Sequence, residues 1–258
     1  MVKDINLGSS SSFPSSELTS GTITYFAADD GFLARRELWK SDGTEEGTTL
    51  VKDINPFSGS NIACLTKYPG QLLYFTADDG SHGTELWKSD GTEEGTVMVK
   101  DIWPSLGDST PGNLTYVELS RNSGALFFGA WNGTSGYELW KSDSTEAGTM
   151  MVKDINPGSA SSSPQYLTQV RWVRGMLFFQ NFDGAHGTEL WKSDGTEEGT
   201  LLVKDISPGL GDGVCNNSMT SIRRTLYFCA NDGTHGRELW KCEIPLYFSP
   251  SLLWLLLY

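Results

Sequence analysis

Apolar residues in this chain come in short runs, each ended by glycine, aspartate, asparagine, serine or proline. Between Tyr166 and Ile206 the runs are Tyr166–Arg171, Gly175–Asn181, Glu189–Ser193 and Thr200–Ile206, five to seven residues apiece. These are strand lengths. The runs are rich in Leu, Val, Phe, Tyr and Trp, which fit a pleated, half-buried surface. ALFF at Ala125–Phe128 and TLYF at Thr225–Phe228 are apolar at consecutive positions, as in a strand covered on both faces. No window carries an apolar stripe at helical spacing, so almost no helix is predicted.

The pattern recurs. VKDI begins at Val2, Val51, Val99, Val152 and Val203, with steps of 49, 48, 53 and 51 residues. ELWK begins at Glu37, Glu85, Glu138, Glu189 and Glu238, with steps of 48, 53, 51 and 49. One unit reads as a Leu-Thr strand (A), an LYF-like strand (B), an Asp-Gly turn, the ELWK strand (C), the octapeptide SDGTEEGT and the VKDI strand (D). Four strands in a period of about 50 residues are the mark of a β-propeller blade. The predicted fold is therefore all-β: a five-bladed propeller of four-stranded antiparallel blades with strand A innermost.

The two ends of the sequence suggest how such a ring would close. It starts with a strand D, Val2–Ile5, and its last unit has A, B and C but neither octapeptide nor VKDI. The expectation is that Val2–Ile5 pairs with Glu238–Lys241 and completes the fifth blade, removing two exposed sheet edges. Residues 1–241 then form one propeller domain of five repeats. Residues 242–258 are an apolar tail outside the repeat, expected to be peripheral to the blades.

ELWKSDGTEEGT followed by VKDI resembles the ELWxxDGT repeat family of bacterial proteins. The likeness runs from Met1 to about Lys241. It implies a propeller-like fold and an exported protein, outside the cell or on its surface. It implies no catalytic residue.

Charge narrows the partners. Acidic residues outnumber basic ones by 32 to 19, a net charge of −13. Such a field repels phosphate backbones, so nucleic acid is not expected as a partner. The start, MVKDINLGSS, has no apolar segment of the signal-peptide kind. The stretch from Ile244 to Tyr258 is broken by proline and is shorter than the about 20 residues of a spanning helix, so no membrane span is expected. Cys64, Cys215, Cys229 and Cys242 have no metal-ligand spacing and no equivalent places in the repeat, and are read as free thiols.

The octapeptide can be weighed as a calcium loop. From Asp42, the residues Asp42, Thr44, Glu46, Gly47 and Asp53 follow an EF-hand template loosely. The flanks are strands, however, and Ala147 replaces one oxygen donor in the third unit. A C–D turn closed by Asp and Ser, with Gly supplying positive φ, is the favoured reading. Calcium stays open as a ligand, and no other cofactor is expected. The ELWK glutamates and VKDI aspartates are equivalent copies, unlike the dissimilar carboxylate pair of a glycosidase. The repeated tryptophans of ELWK are read as packing between blades.

Candidate ligand contacts are therefore sought where the repeats differ. The B–C turns of units two, four and five carry Asp79 and His82, Asp183 and His186, and Asp232 and His235. Trp103, Trp131 and Trp172 recur in no other unit. The expected protein is a non-catalytic recognition or scaffolding module, binding a glycan or a protein through loops of one propeller face. A glycosidase with a central carboxylate pocket is the alternative, and a purely structural array element the third.

Overall fold

Each repeat supplies one four-stranded antiparallel sheet in the computed structural model, which describes residues 1–31, 36–121, 123–170, 173–215, 219–245 and 256–257. Repeat 1 gives β1 (Ser15–Ser20), β2 (Ile23–Asp29), β3 (Arg36–Ser41) and β4 (Thr49–Lys52). Repeat 2 gives β5 (Ala63–Lys67), β6 (Leu73–Asp78), β7 (Thr84–Ser89) and β8 (Val97–Lys100). Repeat 3 gives β9 (Gly112–Ser120), β10 (Ser123–Trp131), β11 (Tyr137–Ser142) and β12 (Met150–Lys153). Repeat 4 gives β13 (Gln165–Gln169), β14 (Leu177–Phe182), β15 (Thr188–Ser193) and β16 (Leu201–Lys204). Repeat 5 gives β17 (Thr220–Ile222), β18 (Thr225–Asn231), β19 (Arg237–Glu243) and β20 (Leu256–Leu257). Strand order follows chain order in every sheet, as the predicted strands A to D require for the first four repeats.

Register repeats with the sequence. Phe26 lies opposite Trp39, Phe75 opposite Trp87, Phe179 opposite Trp191 and Phe228 opposite Trp240. The pairing of strand C with strand D slips by one residue, as between Leu38–Lys52 and Trp39–Leu50. The same slip occurs at Leu86–Lys100, Leu139–Lys153 and Leu190–Lys204. Such a bulge re-aims a side chain, and here the extra residue, Val51, Val99 or Val152, is buried.

The chain forms two compact units. One comprises Met1–Leu114 with Trp131–Gly133 and Ser144–Glu146; the other comprises Thr115–Ala130, Thr134–Asp143 and Ala147–Tyr258. In the first unit Tyr25, Ala27, Leu38 and Val51 of repeat 1 close on Leu73, Phe75 and Trp87 of repeat 2. In the second, Phe127, Leu139 and Val152 of repeat 3 meet Leu177, Phe179 and Trp191 of repeat 4. Phe178, Leu190 and Ile206 of repeat 4 then meet Leu226 and Phe228 of repeat 5. At each of these three junctions the earlier repeat presents an outgoing face, built on the strand-C leucine, and the later one an incoming face, built on strand-B residues and the strand-C tryptophan. Both faces of strand B are covered, which explains its consecutive apolar residues. Each such Leu or Phe contributes about 1.5–3 kcal/mol by burial.

Two expectations about the ends need correction. The fourth strand of the last sheet is β20, from the apolar tail, with Cys242 opposite Leu257 and Glu243 opposite Leu256. Leu256 and Leu257 of the tail are therefore strand-paired within a sheet. Val2–Ile5 lies in no strand. It stays with repeat 1 instead: Lys3 Nζ donates to Thr48 O at 2.8 Å, Asn6 Nδ2 donates to Ser11 O, and Ile5 packs on Phe26, Ala28 and Trp39. The reason is one of chain distance. A leucine-rich segment shortly after β19 reaches its edge at lower loop-closure entropy than a segment at the opposite end of the sequence.

Candidate functional site

The octapeptide closes on itself. Asp42 Oδ1 accepts from Thr44 N at 2.9 Å and from Thr44 Oγ1 at 2.7 Å. Thr44 Oγ1 in turn accepts from Gly47 N at 2.9 Å, and Thr48 Oγ1 donates to Thr44 O at 2.6 Å. Asp90 and Asp194 repeat the arrangement with Thr92 and Thr196. The Thr44 hydroxyl and N–H hold the Asp42 carboxyl below its ordinary range. Gly43 has φ +94°, as the turn reading requires, but Gly47 serves another purpose. A Cβ there would lie 2.0 Å from Asp42 Oδ1, so the glycine makes room for the folded-back carboxylate. Among the described residues no three His, Cys, Asp or Glu side chains converge as metal ligands.

The octapeptide also receives the preceding repeat, through lysines that sequence reasoning passed over. Lys40 of ELWK donates to Gly91 O at 2.8 Å, Lys88 to Ser144 O at 2.8 Å and Lys141 to Gly195 O at 2.7 Å. The VKDI lysines do likewise at the far end of the loop: Lys52 donates to Thr96 O at 2.8 Å and Lys153 to Thr200 O at 2.9 Å. Strand-B aromatics lie over the same turn. A Cβ on Gly91 would meet Tyr25 Oη, and one on Gly195 would meet the Phe127 ring. The available signal was the lysine itself, present in every copy of both tetrapeptides.

The ELWK glutamates hold the loop that follows strand D. Glu37 accepts from Ile54 N and Ser60 N, both at 3.0 Å. Glu85 accepts from Ile102 N at 2.9 Å, from Ser109 N and, at 2.6 Å, from Ser109 Oγ. Glu138 does the same with Ile155 and Ser162. Burial pushes the carboxyls of Glu37, Glu85, Glu138 and Glu189 up to about 7, against the pull of these donors. The tryptophans Trp39, Trp87, Trp140 and Trp191 are buried.

Each Asp–His pair forms inside one B–C turn. His82 Nδ1 lies 2.8 Å from Asp79 Oδ2; the corresponding distances are 2.7 Å for His186 with Asp183 and 2.7 Å for His235 with Asp232. The other carboxylate oxygen accepts N–H groups of the turn, Ser81 and His82 in the case of Asp79. The Asp79 contact raises the His82 pKa. Burial opposes ionisation of Asp79, but His82 and the N–H donors outweigh it and hold that carboxyl low. The Asp fixes the turn and orients the imidazole.

Trp103 and Trp131 come together in the first unit, ring centroids 6.3 Å apart and planes tilted by 58°. Trp131 is 40% exposed. The origin of the pair is legible. Trp103 stands where other repeats have Asn6, Asn55 or Asn156, each facing the glycine of the next B–C turn: Gly31, Gly80 and Gly184. Trp103 faces Gly133 in the same way, its Nε1 2.5 Å from where a Cβ would be, and thereby meets Trp131. The turn Asp78–Gly83 adjoins this loop through Thr84 N donating to Asp108 Oδ1 at 2.7 Å. Trp131 N donates to Ser109 O at 2.9 Å. Asp79, His82, Asp108, Trp103 and Trp131 thus lie along one continuous strip of loops. Asp183 with His186 and Asp232 with His235 belong to separate turns of the second unit. Trp172 lies outside the described residues.

No family model matches the chain, and no curated protein matches it. Solved structures do. Prolyl oligopeptidase B from Galerina marginata aligns with a TM-score of 0.55 at 11% identity, over 89% of this chain and 36% of its own. A puromycin hydrolase aligns with a TM-score of 0.54 at 12% identity, over 89% and 36%. A Mycobacterium tuberculosis puromycin-hydrolyzing peptidase aligns with a TM-score of 0.52 at 12% identity, again over 89% and 36%. This chain therefore spans 36% of the length of these proteins. At such identity the likeness is one of fold, a β-propeller-like all-β architecture.

Proposed function

We propose that this chain is a non-catalytic, exported recognition module of the ELWxxDGT kind, its sheets acting as the blades of a propeller, and that it binds a glycan on the loop strip of the first unit. The observation that carries the reading is the Trp103–Trp131 pair, two aromatics that no other repeat shares, one of them with an exposed ring. The C–H face of a sugar ring stacks on an indole, and nearby polar groups read its hydroxyls. His82, Asp79 and Asp108 supply such groups along the same strip. The repeated carboxylates support a non-catalytic role, since Glu37, Glu85 and Glu138 already hold backbone N–H groups of their own loops.

A glycan array run with and without a chelator tests this. Binding to at least one glycan is expected, it should survive chelation, and Trp131→Ala should weaken it about tenfold or more, the worth of one lost stacking face. A chain that binds no glycan, or binds equally well as Trp131→Ala, leaves the structural-array reading in its place.

A further inference from the structure

Past strand D of repeat 4 the chain returns to the next repeat at residues 213–215, a segment outside the strands of the five sheets. Asn231 N donates to Gly213 O at 2.8 Å, and Cys215 N donates to Cys229 O at 3.0 Å. These two bonds make an antiparallel bridge, with Val214 opposite Ala230 of β18. One residue on from that pair, Cys215 stands opposite Cys229. Val214 and Ala230 are buried in the core shared by repeats 4 and 5. Successive side chains of extended backbone point to opposite faces, so the two cysteines leave together on the other side.

All four cysteines are free thiols in the structure. Residues opposite each other at a hydrogen-bonded antiparallel position have Cα atoms about 5.5 Å apart, inside the about 4.4–6.8 Å that a disulfide spans. The two thiols are also in contact. Burial first, and then the Cys229 thiol beside it, push the Cys215 thiol up to about 11, with Arg237 pulling the other way. Cys215 is buried and Cys229 half-buried. Cys242 lies opposite Leu226 and Leu257 instead, and Cys64 belongs to β5 in the first unit.

We propose that Cys215 and Cys229 are a modification site, a thiol pair that closes into a disulfide under oxidising conditions and fastens the connection after repeat 4 to strand B of repeat 5. The oxidant is a small-molecule disulfide such as oxidised glutathione. One cysteine thiolate attacks a sulfur of the oxidant, giving a mixed disulfide and releasing one thiol. The second cysteine then displaces the other thiol as the Cys215–Cys229 bond forms. The protein gives up two electrons and two protons, and the oxidant carries them away as two thiols. The thiolate is the nucleophile, and a buried thiol held high is rarely ionised. The bridge therefore forms as the chain folds, before Cys215 is covered.

Refolding the full chain with Cys64→Ser in a glutathione redox buffer tests it. Cys64 is exposed, and its removal prevents links between chains. After alkylation in denaturant one free thiol is expected, that of Cys242, and peptide mapping without reductant should join the Cys215 and Cys229 peptides. Adding Cys229→Ser should abolish every internal link. A bridge from Cys215 to Cys229 closes a loop of 15 residues. It should raise the thermal midpoint by about 5 °C or more over the same chain held reduced. Three free thiols in the chain folded under oxidant, a link that involves Cys242, or a bridged chain that melts as the reduced one does would each overturn the proposal.

Discussion

Glu85-Leu86-Trp87-Lys88 and Glu238-Leu239-Trp240-Lys241 spell the same tetrapeptide on equivalent strands, β7 and β19, and end in opposite surroundings. Glu85 and Leu86 are fully buried, and Glu85 accepts from the backbone of Ile102 and Ser109. Glu238 and Leu239 are exposed. What differs is the segment that follows. After Lys88 come an octapeptide, a VKDI strand and a loop whose N–H groups reach back to the glutamate. After Lys241 come Cys242 and Glu243, paired with the tail. The tetrapeptide therefore does not determine its own burial. Its environment is made by the residues that come after it.

The contrast can be broken by substitution. Glu85→Ala removes a buried acceptor and leaves the Ile102 and Ser109 donors without their partner, at a cost of about 3 kcal/mol or more; Glu238→Ala should cost less than about 0.5 kcal/mol. Denaturant unfolding of both variants measures the difference, and equal costs would remove the distinction. Leu86→Ala should cost about 3 kcal/mol through the cavity it leaves, against about 0.5 kcal/mol or less for Leu239→Ala.

A smaller effect separates two octapeptide turns. Gly43→Ala meets only the strain of positive φ, about 1 kcal/mol, whereas Gly91→Ala adds a clash with Tyr25 Oη and should cost about twice that. If the two melt alike, the octapeptide turns of repeats 1 and 2 are not different in this way.

The mildest test is pH. A carboxyl raised to about 7 by burial favours its protonated form in the fold, so its contribution is fully present below about 4.5 and is lost as pH rises through 7. The thermal midpoint should fall between about pH 5 and about pH 8. The Asp-paired histidines, also raised, add a fall of the same sign. Glu85→Gln should shrink the fall without abolishing it, and a midpoint independent of pH would contradict the assignment.

Much of this was legible in the sequence. The period, the four strands of each repeat and the doubly buried strand B all follow from spacing and composition, because each is a property of a repeat within itself. The Asp–His turns were readable for the same reason, as Asp79 and His82 lie three residues apart. The Trp103–Trp131 pair was visible as two exceptions to a repeat, though not as neighbours. The partner of β19 was not legible, because which strand covers an edge is settled by competition between segments rather than by the segments' own spelling. Nor was the part played by Glu37 or Lys40. Both look like surface charges until the loop seventeen residues on from Glu37, at Ile54, and the turn of the next repeat, at Gly91, are in place.

Lys40, Lys52 and Lys141 each anchor a neighbour that lies later in the chain. Cohesion in either unit thus passes from one repeat to the next and does not converge on a shared centre. Energetically each unit is a row of links, its stability a sum of repeat terms and junction terms. For evolution, the copying unit and the folding unit coincide. Duplicating or deleting one whole repeat of about 50 residues changes the length and leaves every remaining junction chemically the same. The near-identical spelling of the octapeptide is then what a history of copying leaves behind, kept because each new copy must fit the lysines of the one before it.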